Sequence, residues 1–184
     1  MNLPNKLTLL RVAMIPFFVA TFYIPWAYAY WLSTVLFVAA FATDMLDGHI
    51  ARQQNIVTDF GKLMDPIADK ILTAAAMVML NWTGQLSPIV TIIVLMREFI
   101  VSGLRLVAAG KGTVVAASWL GKAKTMMQFI MLLVLLISPA LTSLLGLSTY
   151  KLISGILIAI VIILTIWSGW DYVWALRKHI DPRK

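Results

Sequence analysis

Apolar residues run along this chain in six long blocks separated by short polar or aromatic breaks. The blocks cover about Leu7–Ile24, Trp31–Ile50, Gly61–Trp82, Leu86–Ala109, Trp119–Leu145 and Tyr150–Leu176. Each is close to the roughly 20 residues a helix needs to cross a bilayer. Barrel strands are shorter and alternate apolar with polar positions, so strands are excluded. The pattern predicts an all-α integral membrane protein with six transmembrane helices. The break at residues 25–30, Pro-Trp-Ala-Tyr-Ala-Tyr, is of the aromatic kind that settles at membrane interfaces.

The charged residues orient this layout. Fourteen of the fifteen Lys and Arg lie near the N-terminus, around 52–70, around 97–124 or after 176; the other is Lys151. Basic residues collect on the cytoplasmic side. Both termini are therefore expected in the cytosol, with the connections between segments two and three and between segments four and five. The opening residues, with Lys6 and Arg11, show no small-residue cleavage site and read as retained rather than as a signal peptide. Asn5 or Thr8 is expected to cap the first helix or to line a substrate site.

Composition narrows the class. Of 184 residues, 61% are hydrophobic and 12% charged, against about 45–50% and about 25% in a soluble domain. A soluble enzyme and a disordered chain are excluded. Six spans leave no room for a sizeable extramembrane domain, so residues 1–184 read as a single polytopic domain. The net charge of +7 would point to nucleic acid in a soluble protein. Here topology accounts for it, together with attraction to anionic head groups, so membrane lipids and no nucleic acid are the expected partners. Without cysteine there is neither a disulfide framework nor a thiolate metal site.

Candidate chemistry begins with the acids. An ionisable residue near the centre of a span costs roughly 2.5–3.5 kcal/mol, yet four of the eight acids sit at the cytoplasmic ends of two consecutive spans. Asp44 and Asp47 are three apart, and Asp65 and Asp69 are four apart, so each pair shares a helix face. Helices joined by a short connection are antiparallel neighbours, which lets the pairs converge. Converging carboxylates repel one another unless they take up protons or a cation binds between them. Oxygen-only ligands favour hard divalent cations, Mg²⁺ or Mn²⁺, over Zn²⁺. Two such ions would suit phosphoryl transfer. Gly48 allows close approach to the helix, and Arg52 offers a planar cation to phosphate.

The run Asp44-x2-Asp47-Gly48-x2-Ala51-Arg52-x8-Gly61-x3-Asp65-x3-Asp69 resembles, at all eight fixed positions, the signature of the CDP-alcohol phosphotransferase family. The six-segment layout is also similar to the family's. The resemblance implies a CDP-linked lipid as donor, an alcohol as acceptor, CMP as leaving group and a homodimer in the membrane. It implies that Asp44, Asp47, Asp65 and Asp69 hold two divalent cations and that Asp69 acts as base on the acceptor hydroxyl. An Asp bound to a metal has a low pKa, so Asp69 positioning the hydroxyl is the alternative. Asp44, Gly48 and Arg52 would contact the nucleotide, and Gly61 would serve packing or nucleotide approach.

The acceptor is read from the fourth span. Arg97, Glu98 and Arg105 stand in an otherwise apolar helix, and Lys111, Lys122 and Lys124 follow on the same side. These cations need an anion, either Glu98 or a small phosphate monoester. The opening Asn2–Thr8, the runs Arg97-Glu98-Phe99 and Gly103-Leu104-Arg105, and Gly121–Thr125 are similar to the family branch whose acceptor is sn-glycerol 3-phosphate. The resemblance implies CDP-diacylglycerol as donor and an acceptor pocket of Arg97, Arg105, Lys122 and Lys124, with Arg11 also able to point there. Its expected place is a bacterial cytoplasmic membrane, with the active site facing the cytosol. Inositol phosphate would use a similar basic pocket. A divalent-cation transporter is the rival from another class, and the apolar far halves of the spans speak against it.

Overall fold

The computed structural model describes residues 3–25, 28–53, 59–110 and 118–177; for residues 3–5, 44–53, 59–63, 65, 66, 109 and 176 it describes the backbone alone. Among the described residues every regular element is a helix: α1 (Leu3–Thr21), α2 (Ala29–Gln53), α3 (Asp59–Trp82), α4 (Pro88–Gly110), α5 (Trp119–Leu136), α6 (Ser138–Leu145) and α7 (Leu147–Leu176). The helix α5 and the stretch Leu147–Ala175 of α7 are long and apolar enough to cross a membrane. The helices α1 to α4 each carry charged residues among the apolar ones, from Lys6 and Arg11 in α1 to Arg97, Glu98 and Arg105 in α4. The chain forms two compact units, Met1–Gln85 and Leu86–Lys184.

Two details differ from the sequence reading. The fifth block, expected as one helix, is two. Pro139 has no N–H to give, and its ring would clash with the carbonyl four residues back if α5 continued. The helix ends at Ile137, whose N–H still reaches the Leu133 carbonyl at 3.1 Å, and Pro139 takes its place in the first turn of α6. The other difference is at the start. The helix α1 begins at Leu3, so Asn5 and Thr8 lie within it rather than capping it. Pro4 suits the opening turn of a helix, where no intrahelical N–H is needed.

In the first unit, α1 packs on α2 and α3, and α2 packs on α3. Its buried residues include Ile15 and Phe18 of α1, Phe37 and Ala40 of α2, and Leu72, Ala76 and Leu80 of α3. The last three recur every four residues, which makes one helix face. Phe18 meets Phe37 with ring centroids 6.0 Å apart. At the end away from the acids, Tyr23 lies against Trp82 at 4.9 Å. The helix α3 stops in a Schellman turn: Gln85 N–H bonds to the Leu80 carbonyl and Gly84 N–H to the Asn81 carbonyl, both at 2.9 Å. Gly84 takes φ +73°, a conformation open to glycine.

In the second unit, α7 packs on α4, α5 and α6. The helix α4 opens with Ser87, whose hydroxyl accepts from Ile89 N–H at 3.3 Å, followed by Pro88. The helix α5 opens with Ser118, whose side chain accepts from Gly121 N–H at 3.2 Å. Gly146, at φ +82°, turns the chain from α6 into α7.

Burial is inverted relative to a soluble protein. Trp119, Leu106 and Leu144 are 78%, 76% and 79% exposed, whereas Arg11, Lys124, Thr8 and Thr165 are fully buried. Large exposed apolar faces on this scale are unfavourable in water and natural in lipid. Trp167, Trp170 and Trp174 line the exposed C-terminal part of α7, where amphipathic rings favour an interface.

Candidate active site

The four motif acids lie on the two consecutive helices that the spacing requires. Asp44 and Asp47 are in the C-terminal part of α2; Asp65 and Asp69 are in the N-terminal part of α3. At about 1.5 Å per residue, Asp47 and Asp65 each stand about 9 Å from the helix end nearest the connection. Asp44 and Asp69 stand about 14–15 Å from those ends on the same rise. The two helices pack on each other. Asp69 is half-buried, and its backbone carbonyl accepts from the Thr73 hydroxyl at 3.2 Å. The side chains of Asp44, Asp47, Arg52 and Asp65, and the surroundings of Gly48 and Gly61, lie outside the described residues.

Arg11 belongs to this unit. It is fully buried, and its Nε donates to the Thr43 hydroxyl at 3.5 Å, one position before Asp44. The Thr43 hydroxyl in turn donates to the Ala40 carbonyl at 2.6 Å. The first helix therefore sets a guanidinium against the turn of α2 that carries the first motif acid.

The cations of the second unit form a network drawn from α4, α5 and α7. The Lys124 ammonium is fully buried and donates to Oε1 of Glu98 and to Oε1 of Gln128. A buried ammonium needs such partners, because an unpaired charge in a low-dielectric interior is heavily penalised. Arg97 places Nη1 3.5 Å from the same carboxylate oxygen. Arg105 donates from Nη2 to the Tyr172 hydroxyl at 2.6 Å, and that oxygen also accepts the Ser118 N–H at 2.9 Å. The Tyr172 ring lies under both guanidinium groups, at 5.6 Å from Arg97 and 5.0 Å from Arg105.

The Glu98 carboxylate thus meets two cations, Arg97 and Lys124, while Arg105 is held by the Tyr172 hydroxyl. Among the described residues, Nε and Nη2 of Arg97 and Nε of Arg105 are buried with no hydrogen-bond acceptor. Buried donors of this kind are costly unless an acceptor fills the gap. The α7 helix approaches closely at Gly169, where an added methyl would lie 3.1 Å from Arg97 Cγ. Gly121 of α5 is less close: a methyl there would lie 3.7 Å from Arg97 Nη2, an ordinary contact. A cavity of about 220 Å³ between α4 and α7 continues from Arg97 along apolar side chains, including Ile93, Met96, Ile100 and Val173.

Of the residues expected to hold an acceptor phosphate, Arg97 and Arg105 come together over Tyr172, Lys124 is engaged with Glu98, and Lys122 is exposed on α5. Arg11 lies in the other unit, against Thr43. Tyr172, Ser118 and Gln128 were not singled out by sequence. Gln128 is four residues after Lys124, a helical spacing that could have pointed to it. Tyr172 carries no such signal, because its partners are 67 and 54 residues away.

Residues 1–167 match the family model described as CDP-alcohol phosphatidyltransferase. Three curated relatives are similar over nearly their whole length, and each is named CDP-diacylglycerol–glycerol-3-phosphate 3-phosphatidyltransferase. The protein of Rickettsia bellii is 41% identical over 178 residues, covering 97% of both chains. That of Bacillus subtilis is 38% identical over 187 residues, covering 93% of both. That of Sodalis glossinidius is 40% identical over 190 residues, covering 98% of this chain and 97% of its own.

Proposed function

The chain belongs to the CDP-alcohol phosphatidyltransferase family, and on that premise we propose that it transfers the phosphatidyl group of CDP-diacylglycerol to the 1-hydroxyl of sn-glycerol 3-phosphate. This is the activity of a phosphatidylglycerophosphate synthase. The observation that carries a phosphate-bearing acceptor is the set of buried N–H groups on Arg97 and Arg105 that have no acceptor among the described residues; the names of the relatives favour glycerol 3-phosphate among such acceptors. A phosphate monoester supplies acceptors in the planar geometry a guanidinium prefers.

Two divalent cations, Mg²⁺ or Mn²⁺, belong to this reading. The acids fit them: four hard oxygen donors on two helices that pack on each other, with no thiolate in the chain. Asp44, Asp47, Asp65 and Asp69 would hold the ions, which when bound offset pyrophosphate charge and favour departure of CMP. Asp44, Gly48 and Arg52 bind the cytidine nucleotide, with Gly61 allowing its approach. Asp69 accepts the proton of the acceptor hydroxyl, or holds that hydroxyl in line. The hydroxyl oxygen forms the new bond to the diacylglycerol-linked phosphorus as the bond to CMP breaks.

Arg97 and Arg105 bind the acceptor's phosphate, and Lys122 adds to the attraction from the surface. Lys124 contributes by neutralising Glu98, which leaves the charge of Arg97 for the substrate. In the same reading the chain is a single domain with six spans, its termini and site face the cytosol of a bacterium, and it works as a homodimer in the cytoplasmic membrane. The apolar exterior supports the membrane placement, and the lopsided distribution of Lys and Arg supports the orientation.

The test is CMP release from CDP-diacylglycerol by purified protein in detergent with Mg²⁺ or Mn²⁺. Each reaction contains glycerol 3-phosphate, inositol 1-phosphate, inositol or serine, with Asp69→Asn as control. Release with glycerol 3-phosphate alone, lost in the control, is the expected result. Release with another acceptor keeps the chemistry and removes the acceptor assignment. No release from folded, metal-loaded protein overturns the transferase reading.

A further inference from the structure

Glu98 and Tyr172 hold the arginines in different ways. A carboxylate beside a guanidinium cancels its charge. A phenol accepts hydrogen bonds and presents a π face without adding a charge. Tyr172 is buried on α7, and its oxygen accepts from Arg105 Nη2 at 2.6 Å and from the Ser118 N–H at 2.9 Å. Its ring faces Arg97 at 5.6 Å and Arg105 at 5.0 Å. One side chain thereby fixes two like-charged groups on α4 and the first residue before α5, and it leaves Nε and Nη2 of Arg97 and Nε of Arg105 without acceptors among the described residues. Gly121 lies beside the same junction, where an added methyl would stand at ordinary contact distance, 3.5 Å, from Tyr172 Cε2 and Ser118 Oγ.

We propose that Tyr172 is a positioning residue for the acceptor's phosphate: it orders Arg97, Arg105 and the start of α5 without neutralising the arginines. This rests on the reading that Arg97 and Arg105 bind that phosphate. Pre-ordering such groups lowers the entropy lost when the substrate binds, so the effect belongs to acceptor affinity.

Tyr172→Phe keeps the ring and removes the hydroxyl; Tyr172→Leu removes both. Steady-state kinetics with each substrate varied, and calorimetric titration of glycerol 3-phosphate into the full-length protein in lipid nanodiscs, read the outcome. Tyr172→Phe is expected to raise KM and Kd for glycerol 3-phosphate about tenfold, the scale of a hydrogen bond to a charged group. Its KM for CDP-diacylglycerol should stay within about twofold of wild type, since no contact to the donor is removed. Tyr172→Leu should lose about tenfold more, as the cation–π contacts go too.

Unchanged acceptor KM and Kd in Tyr172→Phe overturn the proposal. So does an equal rise in both KM values, which marks a merely structural role. Should Tyr172→Leu fail to fold, Tyr172→Phe decides. If wild type binds glycerol 3-phosphate but does not turn it over, the transferase reading falls and the titrations still judge Tyr172. If wild type binds none, both fall.

Discussion

In the first unit four carboxylates lie within 26 residues on two consecutive helices, whereas the charged network of the second unit draws on residues 97 to 172 from three helices. The difference is between a local site and an assembled one. The acids need only two helical spacings and a short connection. The arginines need α7 to bring Tyr172 across and α5 to bring Lys124 against Glu98. Single changes in the first unit should therefore remove chemistry. Those in the second should spread between acceptor binding and stability, according to how each cation is satisfied.

The sharpest test of that contrast is Asp69→Asn, expected to lower kcat by about 10³-fold, within the range for a positioned proton acceptor. Melting in detergent should be little changed. Next is Glu98→Gln, which leaves the buried Lys124 ammonium without its carboxylate. A loss of about 3 kcal/mol of stability is expected, read as a lower thermal midpoint, and the double variant Glu98→Gln, Lys124→Met should recover most of it. Arg97→Gln should raise KM for glycerol 3-phosphate about 30-fold, the scale of charge-assisted hydrogen bonds to phosphate. The KM for CDP-diacylglycerol should hold. Smallest is Gly169→Ala. Its methyl, 3.1 Å from Arg97 Cγ, moves the guanidinium by a few tenths of an ångström and should cost about threefold in acceptor KM. A Gly169→Ala variant that instead loses kcat with both substrates saturating would undo the division between the two regions.

The sequence carried the helical class, the blocks that became α1 to α4 and α7, and the helices bearing the four acids, because each depends on spacing along one or two neighbouring segments. Pro139 was visible but was not weighed against the apolar run around it, so α5 and α6 were joined. Lys124 and Lys122 looked equivalent from their positions near one helix start. Burial separates them: one faces Glu98 and Gln128, the other is exposed. Arg11 was grouped with the other cations by charge, and the packing of α1 on α2 that sets it beside Thr43 could not be read from that grouping. Such sorting depends on contacts between distant segments, which hydrophobic periodicity does not encode.

The stop at Ile137 has a mechanical consequence. With 18 residues, α5 is about 27 Å long, whereas the 30 residues of α7 make about 45 Å. A hydrocarbon layer of about 30 Å is therefore nearly matched by the first and overfilled by the second. The shorter helix acts as a ruler, and the longer one must lean or project. Thickening the bilayer would stretch the fit around α5 while relieving α7. Acyl-chain length in the surrounding lipid thus loads the α5–α7 packing that carries Tyr172 and Lys124.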